Sequence, residues 1–175
     1  MAKLPTKTRP KSASRDHLSS SGSRQSISDG KTLKIYTQNV GKYKSLCDEI
    51  SFSLTSAFET ENIKISEIST RVKPLDSVLE KVSRKGYTDF SHLTDLVGAR
   101  IICLFRQDLE RIRSLIDKVF KVESFDDKSY SDPDAFGYMS LHFQCRLKDD
   151  YTGPRYDAIK SISFELQLRT ICMHA

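Results

Sequence analysis

Phe164-Glu165-Leu166-Gln167-Leu168-Arg169 alternates apolar and polar residues with period two, the pattern of a strand with one greasy and one polar face. Leu166 and Leu168 are then core residues, while Glu165, Gln167 and Arg169 share the opposite surface. The stretch from Tyr138 to Leu147 repeats the pattern: Met139, Leu141, Phe143, Cys145 and Leu147 oppose Tyr138, Ser140, His142 and Gln144. A carboxylate, an arginine, a histidine and a tyrosine gathered on one sheet surface suit a nucleotide better than bulk water. Upstream, Asp95 stands just before a third apolar strand, Ala99 to Phe105. Two carboxylates on neighbouring strands make a natural cradle for a divalent cation.

Outward from these strands the chain mixes helices and strands. Tyr36, Val40, Tyr43, Cys47, Ile50, Leu54 and Phe58 fall three or four apart and predict a helix over roughly 33–60. A short strand is expected at Ile63 to Ile68. Pro74 suits the first turn of a second helix and Gly86 its C-terminal stop. Leu75, Val78, Leu79 and Val82 form its inner side, and Lys73, Ser77 and Lys81, spaced by four, line another. A third helix is read at roughly 107–119. Strands follow at about 119–125, 138–147 and 161–169, the last two suited to an antiparallel hairpin. The polar segments Asp126 to Phe136 and Lys148 to Tyr156 read as loops. Strict βαβ alternation is lacking, so the fold class is α+β, a mixed β-sheet flanked by helices.

The 175 residues are enough for one domain with a core, and 38% apolar and 29% charged residues are ordinary for a globular chain. The net charge of +5 is concentrated at the start, where Lys3, Lys7, Arg9, Lys11, Arg15 and Arg24 face only Asp16 and Asp29. Residues 1–30 therefore read as a disordered, basic, Ser-rich tail, a composition shared by transit peptides, and 31–175 as the folded domain. That domain is close to neutral, which argues against general DNA binding and requires any anion site to be local. Cys47, Cys103, Cys145 and Cys172 have no CxxC spacing and sit in apolar patterns, as buried free thiols in a reducing, cytoplasmic setting would. No apolar run approaches a membrane span.

Taken singly, each chemical group has an ordinary alternative. Arg71, Lys73, Ser77, Lys81, Arg84 and Lys85 could neutralise a triphosphate or form a solvated basic helix face. Asp95 suits Mg²⁺ or a strand-entry cap. Glu165 suits a metal, proton abstraction or a wet sheet face. Tyr138 suits stacking on a base or a place at the rim of the core. His142 suits phosphate contact, proton transfer or a structural hydrogen bond.

Together the motifs resemble the synthetase domain of the RelA/SpoT family, the alarmone (p)ppGpp synthetases. The matching stretches are Arg71-Val72-Lys73 with Ser77, Lys81 and Arg84-Lys85-Gly86, then Asp95-Leu96-Val97-Gly98-Ala99-Arg100-Ile101-Ile102. Gly137-Tyr138-Met139-Ser140-Leu141-His142 and Phe164-Glu165-Leu166-Gln167-Leu168-Arg169-Thr170 complete the set, four ordered motifs over about 105 residues. The resemblance implies a nucleotidyltransferase-like fold in a small, single-domain synthetase. It implies transfer of pyrophosphate from ATP to the 3′-hydroxyl of GDP or GTP, with AMP leaving. By the same resemblance Arg71, Lys73, Ser77, Lys81, Arg84 and Arg100 bind ATP. Asp95 and Glu165 hold Mg²⁺, with Glu165 alternatively deprotonating the acceptor. Tyr138 stacks on guanine, and Ser140, His142, Gln167 and Arg169 position phosphates or ribose.

Two departures bear on the expectation. The segment Asp132-Pro133-Asp134-Ala135-Phe136 before Gly137-Tyr138 carries two acids, where many relatives carry a Lys and an Asn. Members with a Phe-Gly-Tyr form include toxin-like enzymes that pyrophosphorylate the 3′ end of tRNA, so tRNA is an alternative acceptor. The family also usually continues past Met173-His174-Ala175 with a Trp and a further helix, so the domain's C-terminal end is expected to be incomplete. A non-catalytic nucleotide- or RNA-binding regulator is a third reading, which the presence of both Asp95 and Glu165 opposes. The sequence leaves a homo-oligomer open.

Overall fold

The computed structural model describes residues 29–87, 89–127 and 140–173. In chain order these form α1 (Asp29–Thr60), β1 (Ile65–Val72), α2 (Leu75–Lys85), β2 (Val97–Cys103), α3 (Leu109–Val119), β3 (Lys121–Asp127), β4 (Ser140–Arg146), α4 (Pro154–Asp157) and β5 (Phe164–Thr170). The strands make one five-stranded sheet in the order β1-β2-β5-β4-β3. β2 and β5 run parallel, and the other neighbours are antiparallel. The sheet is mixed, as the patterning predicts, and β4 pairs with β5 as the expected hairpin, from Ser140 opposite Arg169 to Cys145 opposite Phe164.

Strand alternation decides which sheet face is covered. Val97, Ala99, Ile101 and Cys103 of β2 are buried, with Leu141, Phe143 and Cys145 of β4 and Phe164, Leu166 and Leu168 of β5. They pack against Leu46, Ile50 and Leu54 of α1 and Ile112, Leu115 and Ile116 of α3 in one core. The intervening residues of β4 and β5 are thereby turned to the other face, where His142, Gln144, Glu165, Gln167 and Arg169 are half-buried. The core and the polar surface are thus two sides of one period-two pattern.

Helix α1 starts at Asp29, earlier than the apolar stripe predicts, with the acid in its first turn where the helix dipole favours it. Tyr43, Cys47, Ile50, Leu54 and Phe58 of the stripe are buried as expected. Helix α2 begins after Pro74 and stops at Gly86, whose φ of 62° lies in the left-handed region and whose N–H closes the last turn on Val82 O. β1 extends to Val72, beyond the expected Ile68, because its polar second half finds antiparallel partners on β2 from Arg100 to Val97. β2 ends at Cys103 rather than Phe105, and Phe105 is exposed ahead of a 3₁₀ turn. The segment 148–156, read as loop, carries the start of α4, with Pro154 in its first turn. Residues 1–28, and with them nearly all of the basic tail, lie outside the described residues.

Three of the four cysteines are buried, and Cys172 is the exception: it follows β5 in a 3₁₀ turn, where the period of two breaks. Burial pushes the Cys103 thiol up to about 11 and the Cys145 thiol up to about 12. A disulfide-exchange reagent at pH 8 should therefore react rapidly with Cys172 in the native protein and with Cys47, Cys103 and Cys145 only after unfolding. Rapid native labelling of Cys145 would contradict this fold. The ring of Phe164 is fully buried and meets Phe120 edge-on at 5.1 Å. Phe164→Ala should cost about 3–5 kcal/mol in urea unfolding, and a loss below about 1 kcal/mol would contradict the packing described.

Candidate functional site

The site begins at Asp95, on the turn that leads into β2. Lys73 follows β1, and its backbone N–H donates to Leu96 O at 2.8 Å, joining the end of β1 to the Asp95 turn. Tyr36 of α1 donates its hydroxyl to Lys73 O at 2.8 Å and fixes the same point from the helix layer. Lys81 is nearly two turns into α2. The ammonium groups of Lys73 and Lys81 both lie 2.8 Å from Asp95 Oδ2. The three side chains are only 20–24% exposed, so solvent screens these pairs little. Burial alone would push the Asp95 carboxyl up, but the hydrogen bonds and charges of Lys73 and Lys81 outweigh it and hold it below the ordinary carboxylate range.

The second carboxylate comes from β5. Because β2 and β5 are parallel, Glu165 stands opposite Gly98, three residues after Asp95, and both acids emerge at the same end of the sheet. Glu165 Oε1 lies 2.6 Å from His142 Nδ1 and accepts from Gln167 Nε2 at 3.3 Å. Arg169 Nη2 in turn donates to Gln167 Oε1 at 3.1 Å. The polar face of β5 is therefore one connected row, Arg169 to Gln167 to Glu165 to His142.

A cavity of about 160 Å³ joins the two halves. Arg71, Lys73, Asp95, Arg100, Glu165 and Gln167 line it, with Ser69, Thr70 and the backbone of Gly98 and Ala99 between them. Three cations line it and Lys81 stands behind Asp95, against two carboxylates. The balance favours a polyanion. Asp95 Oδ1 is buried and has no hydrogen-bond partner among the described residues. No cluster of three or more His, Cys, Asp or Glu side chains suited to a metal occurs among them. Two acids and an orphaned carboxylate oxygen fit a hard cation such as Mg²⁺, which takes one or two carboxylates and completes its shell with phosphate oxygens and water.

The sequence-predicted residues do not all meet here. Arg71, Lys73, Asp95, Arg100, Glu165 and Gln167 do, while Lys81, His142 and Arg169 join through their partners. Ser77 and Arg84 lie on α2 away from the cavity lining, Ser77 half-buried and Arg84 exposed. Ser140 is only 1% exposed, and its hydroxyl has no partner among the described residues. It stands at the start of β4, where alternation alone predicted an accessible group. Tyr138 and the acidic loop before it lie outside the described residues. Ser69 and Thr70 were missed because β1 was expected to end at Ile68, and no chemical signature distinguishes them.

A family model for the region found in RelA / SpoT proteins matches residues 70–175. The chain belongs to the RelA/SpoT family. GTP pyrophosphokinase YwaC of Bacillus subtilis is 30% identical over 115 residues, which make up 62% of this chain and 53% of that protein. GTP pyrophosphokinase YjbM of the same organism is 26% identical over 140 residues, 75% of this chain and 64% of that one. The chain thus spans between about half and two thirds of the length of these curated relatives. Among solved structures, small alarmone synthetase 2 from Bacillus subtilis superposes with a TM-score of 0.66 at 25% identity, covering 79% of this chain and 74% of that one. Small alarmone synthetase 1 bound to its product pppGpp gives 0.63 at 24% identity, covering 81% and 76%. The RelA/SpoT match begins at Thr70, so it takes in every sequence-predicted site residue from Arg71 to Arg169 and leaves out Ser69 and α1 with Tyr36.

The depressed Asp95 carboxyl makes its ion pairs pH-dependent. A group whose folded pKa lies below its unfolded value of about 3.9 contributes stability that is complete well above that value and lost as pH falls through the folded pKa. In metal-free buffer the stability gap between wild type and Asp95→Asn should be constant above roughly pH 5 and narrow steadily below roughly pH 4. A gap that does not change with pH would show that the lysines do not hold the carboxylate.

Proposed function

We propose that this RelA/SpoT chain transfers pyrophosphate from ATP to the 3′-hydroxyl of GDP or GTP, forming (p)ppGpp and AMP. The observation that carries the reading is the joining of Asp95, on the turn into β2, and Glu165, on the parallel strand β5, with Arg71, Lys73 and Arg100 around one cavity. The curated relatives, both GTP pyrophosphokinases, support the reaction class.

In the reaction the acceptor 3′-oxygen attacks the β-phosphorus of ATP. The bond from that phosphorus to the α–β bridging oxygen breaks, and AMP carries the bridging oxygen away. Such transfers depend mainly on alignment and charge neutralisation. Arg71, Lys73, Lys81 and Arg100 supply the cations that would hold the triphosphate. Asp95 with Glu165 would hold Mg²⁺, which neutralises charge on the transferred group. Alternatively Glu165 is the base that accepts the 3′-hydroxyl proton, with His142 and Gln167 fixing its Oε1. Gln167 and Arg169 extend the polar row along which an acceptor would lie. Ser77 and Arg84, off the cavity, would meet the nucleotide only at its periphery. The three buried thiols accord with a cytoplasmic setting, and no helix among the described residues is long and apolar enough to cross a membrane.

The test is to incubate the protein with ATP labelled in its β,γ-pyrophosphate, Mg²⁺ and GDP, GTP or bulk tRNA. Label should move to the guanosine nucleotide, and Glu165→Gln should lower the rate at least ~100-fold. Label appearing on the tRNA 3′ end instead would overturn the acceptor while keeping the chemistry. No transfer above the Glu165→Gln background would overturn the reading altogether.

A further inference from the structure

The ladder of β2 with β5 sets Glu165 opposite Gly98, but Asp95 lies on the turn ahead of β2, so its distance from Glu165 depends on what holds that turn. One side of the Asp95 turn is fixed by the bond from Lys73 N–H to Leu96 O. The other side is fixed by a residue outside the cavity. Gln144 of β4 stands directly opposite Glu165 in the β4–β5 ladder. Its Nε2 donates at 2.9 Å to Thr94 O, the carbonyl immediately before Asp95. The same Nε2 donates at 2.9 Å to Ser163 Oγ, two residues before Glu165. Ser163 Oγ donates in turn to Glu123 Oε2 of β3 at 3.0 Å. Both amide hydrogens of Gln144 are therefore used, one on each carboxylate-bearing segment.

We infer that Gln144 is a positioning residue for the reaction, a strut that sets the distance between Asp95 and Glu165. This inference rests on the function proposed above. β4 is separated from β2 by β5, so only a side chain long enough to reach across the start of β5 can tie β4 to the Asp95 turn. Gln144 has that length and carries two donors on one nitrogen. A glutamate there has the length but only acceptors, so it cannot bond the Thr94 carbonyl and would face it with negative charge. A leucine has similar bulk and no donor. Displacing a catalytic group by about 1 Å can cost on the order of 100-fold in rate, so losing the strut should act on turnover more than on binding.

The experiment compares Gln144→Leu and Gln144→Glu with wild type, using Lys121→Ala, at an exposed ion pair on β3, as a control expected to behave as wild type. Both Gln144 variants should lower kcat at least ~10-fold while KM for the acceptor stays within about twofold and the melting temperature changes little. Ser163→Ala, which removes one anchor of the strut, should lower kcat by about threefold. A kcat within twofold of wild type in both Gln144 variants would overturn the inference. So would a loss of kcat that tracks a loss of melting temperature, which is what a purely structural residue gives. A second readout does not need turnover: the affinity for a non-hydrolysable ATP analogue, titrated with Mg²⁺ and with EDTA. Wild type should bind more tightly with Mg²⁺, and Gln144→Leu should lose most of that gain while keeping the EDTA affinity. An equal Mg²⁺ gain in both proteins overturns the strut even if wild type transfers nothing, an outcome that would separately refute the proposed reaction.

Discussion

The parallel pairing of β2 with β5 is the constraint on which the site depends. It is the one parallel contact in the described sheet, and it sets Gly98 opposite Glu165. Asp95, just before β2, and Glu165, at the start of β5, consequently emerge at the same sheet end. Reversing either seven-residue strand would carry one acid to the far end, about 20 Å away at the usual rise per residue. The hairpin β4–β5 then adds His142 and Gln144 on the same face, and the antiparallel β1 brings Arg71 alongside Gly98.

Gathering charge in this way is unfavourable unless each group finds a partner. A half-buried carboxylate left unpaired would cost several kcal/mol or take up a proton. Asp95 avoids both by sharing one oxygen between Lys73 and Lys81, and its acidity is lowered despite burial. Glu165 is held by neutral or weakly basic neighbours, His142 and Gln167, so a ligand meets less competition for it. The two acids thus suit different work: one is set among cations at the phosphate side, and the other lies in a hydrogen-bonded row along β5. A third carboxylate, the fully buried Glu49 of α1, pairs with Arg155 of α4 at 2.7 Å and accepts from Ser53, pinning the β4–β5 connection to the helix layer.

Much of this was legible in the sequence because the relevant signals are local. Period-two alternation in 164–169 and 138–147 gave the hairpin, its faces and most of its chemistry. The Pro74 and Gly86 boundaries gave α2, and the apolar stripe gave the buried face of α1. What was not legible depends on tertiary partners. The second half of β1, Ser69 to Val72, lies past the expected strand end at Ile68 and becomes strand because β2 lies beside it. Ser140 satisfies the alternation for an outward residue yet is buried by its surroundings. The pairing of Lys73 and Lys81 on Asp95 joins residues 22 and 14 positions apart, and no periodicity in the sequence announces it. The Gln144 strut is invisible for the same reason, since its meaning comes from Thr94 and Ser163.

The measurement that tests the account most directly is the structure of this chain with Mg²⁺ and a non-hydrolysable ATP analogue. The account predicts the triphosphate between Lys73, Lys81 and Arg100, the metal on Asp95, and the β-phosphorus within reach of an acceptor lying along Glu165 and Gln167. A nucleotide bound elsewhere, with Asp95 still held by both lysines, would contradict it.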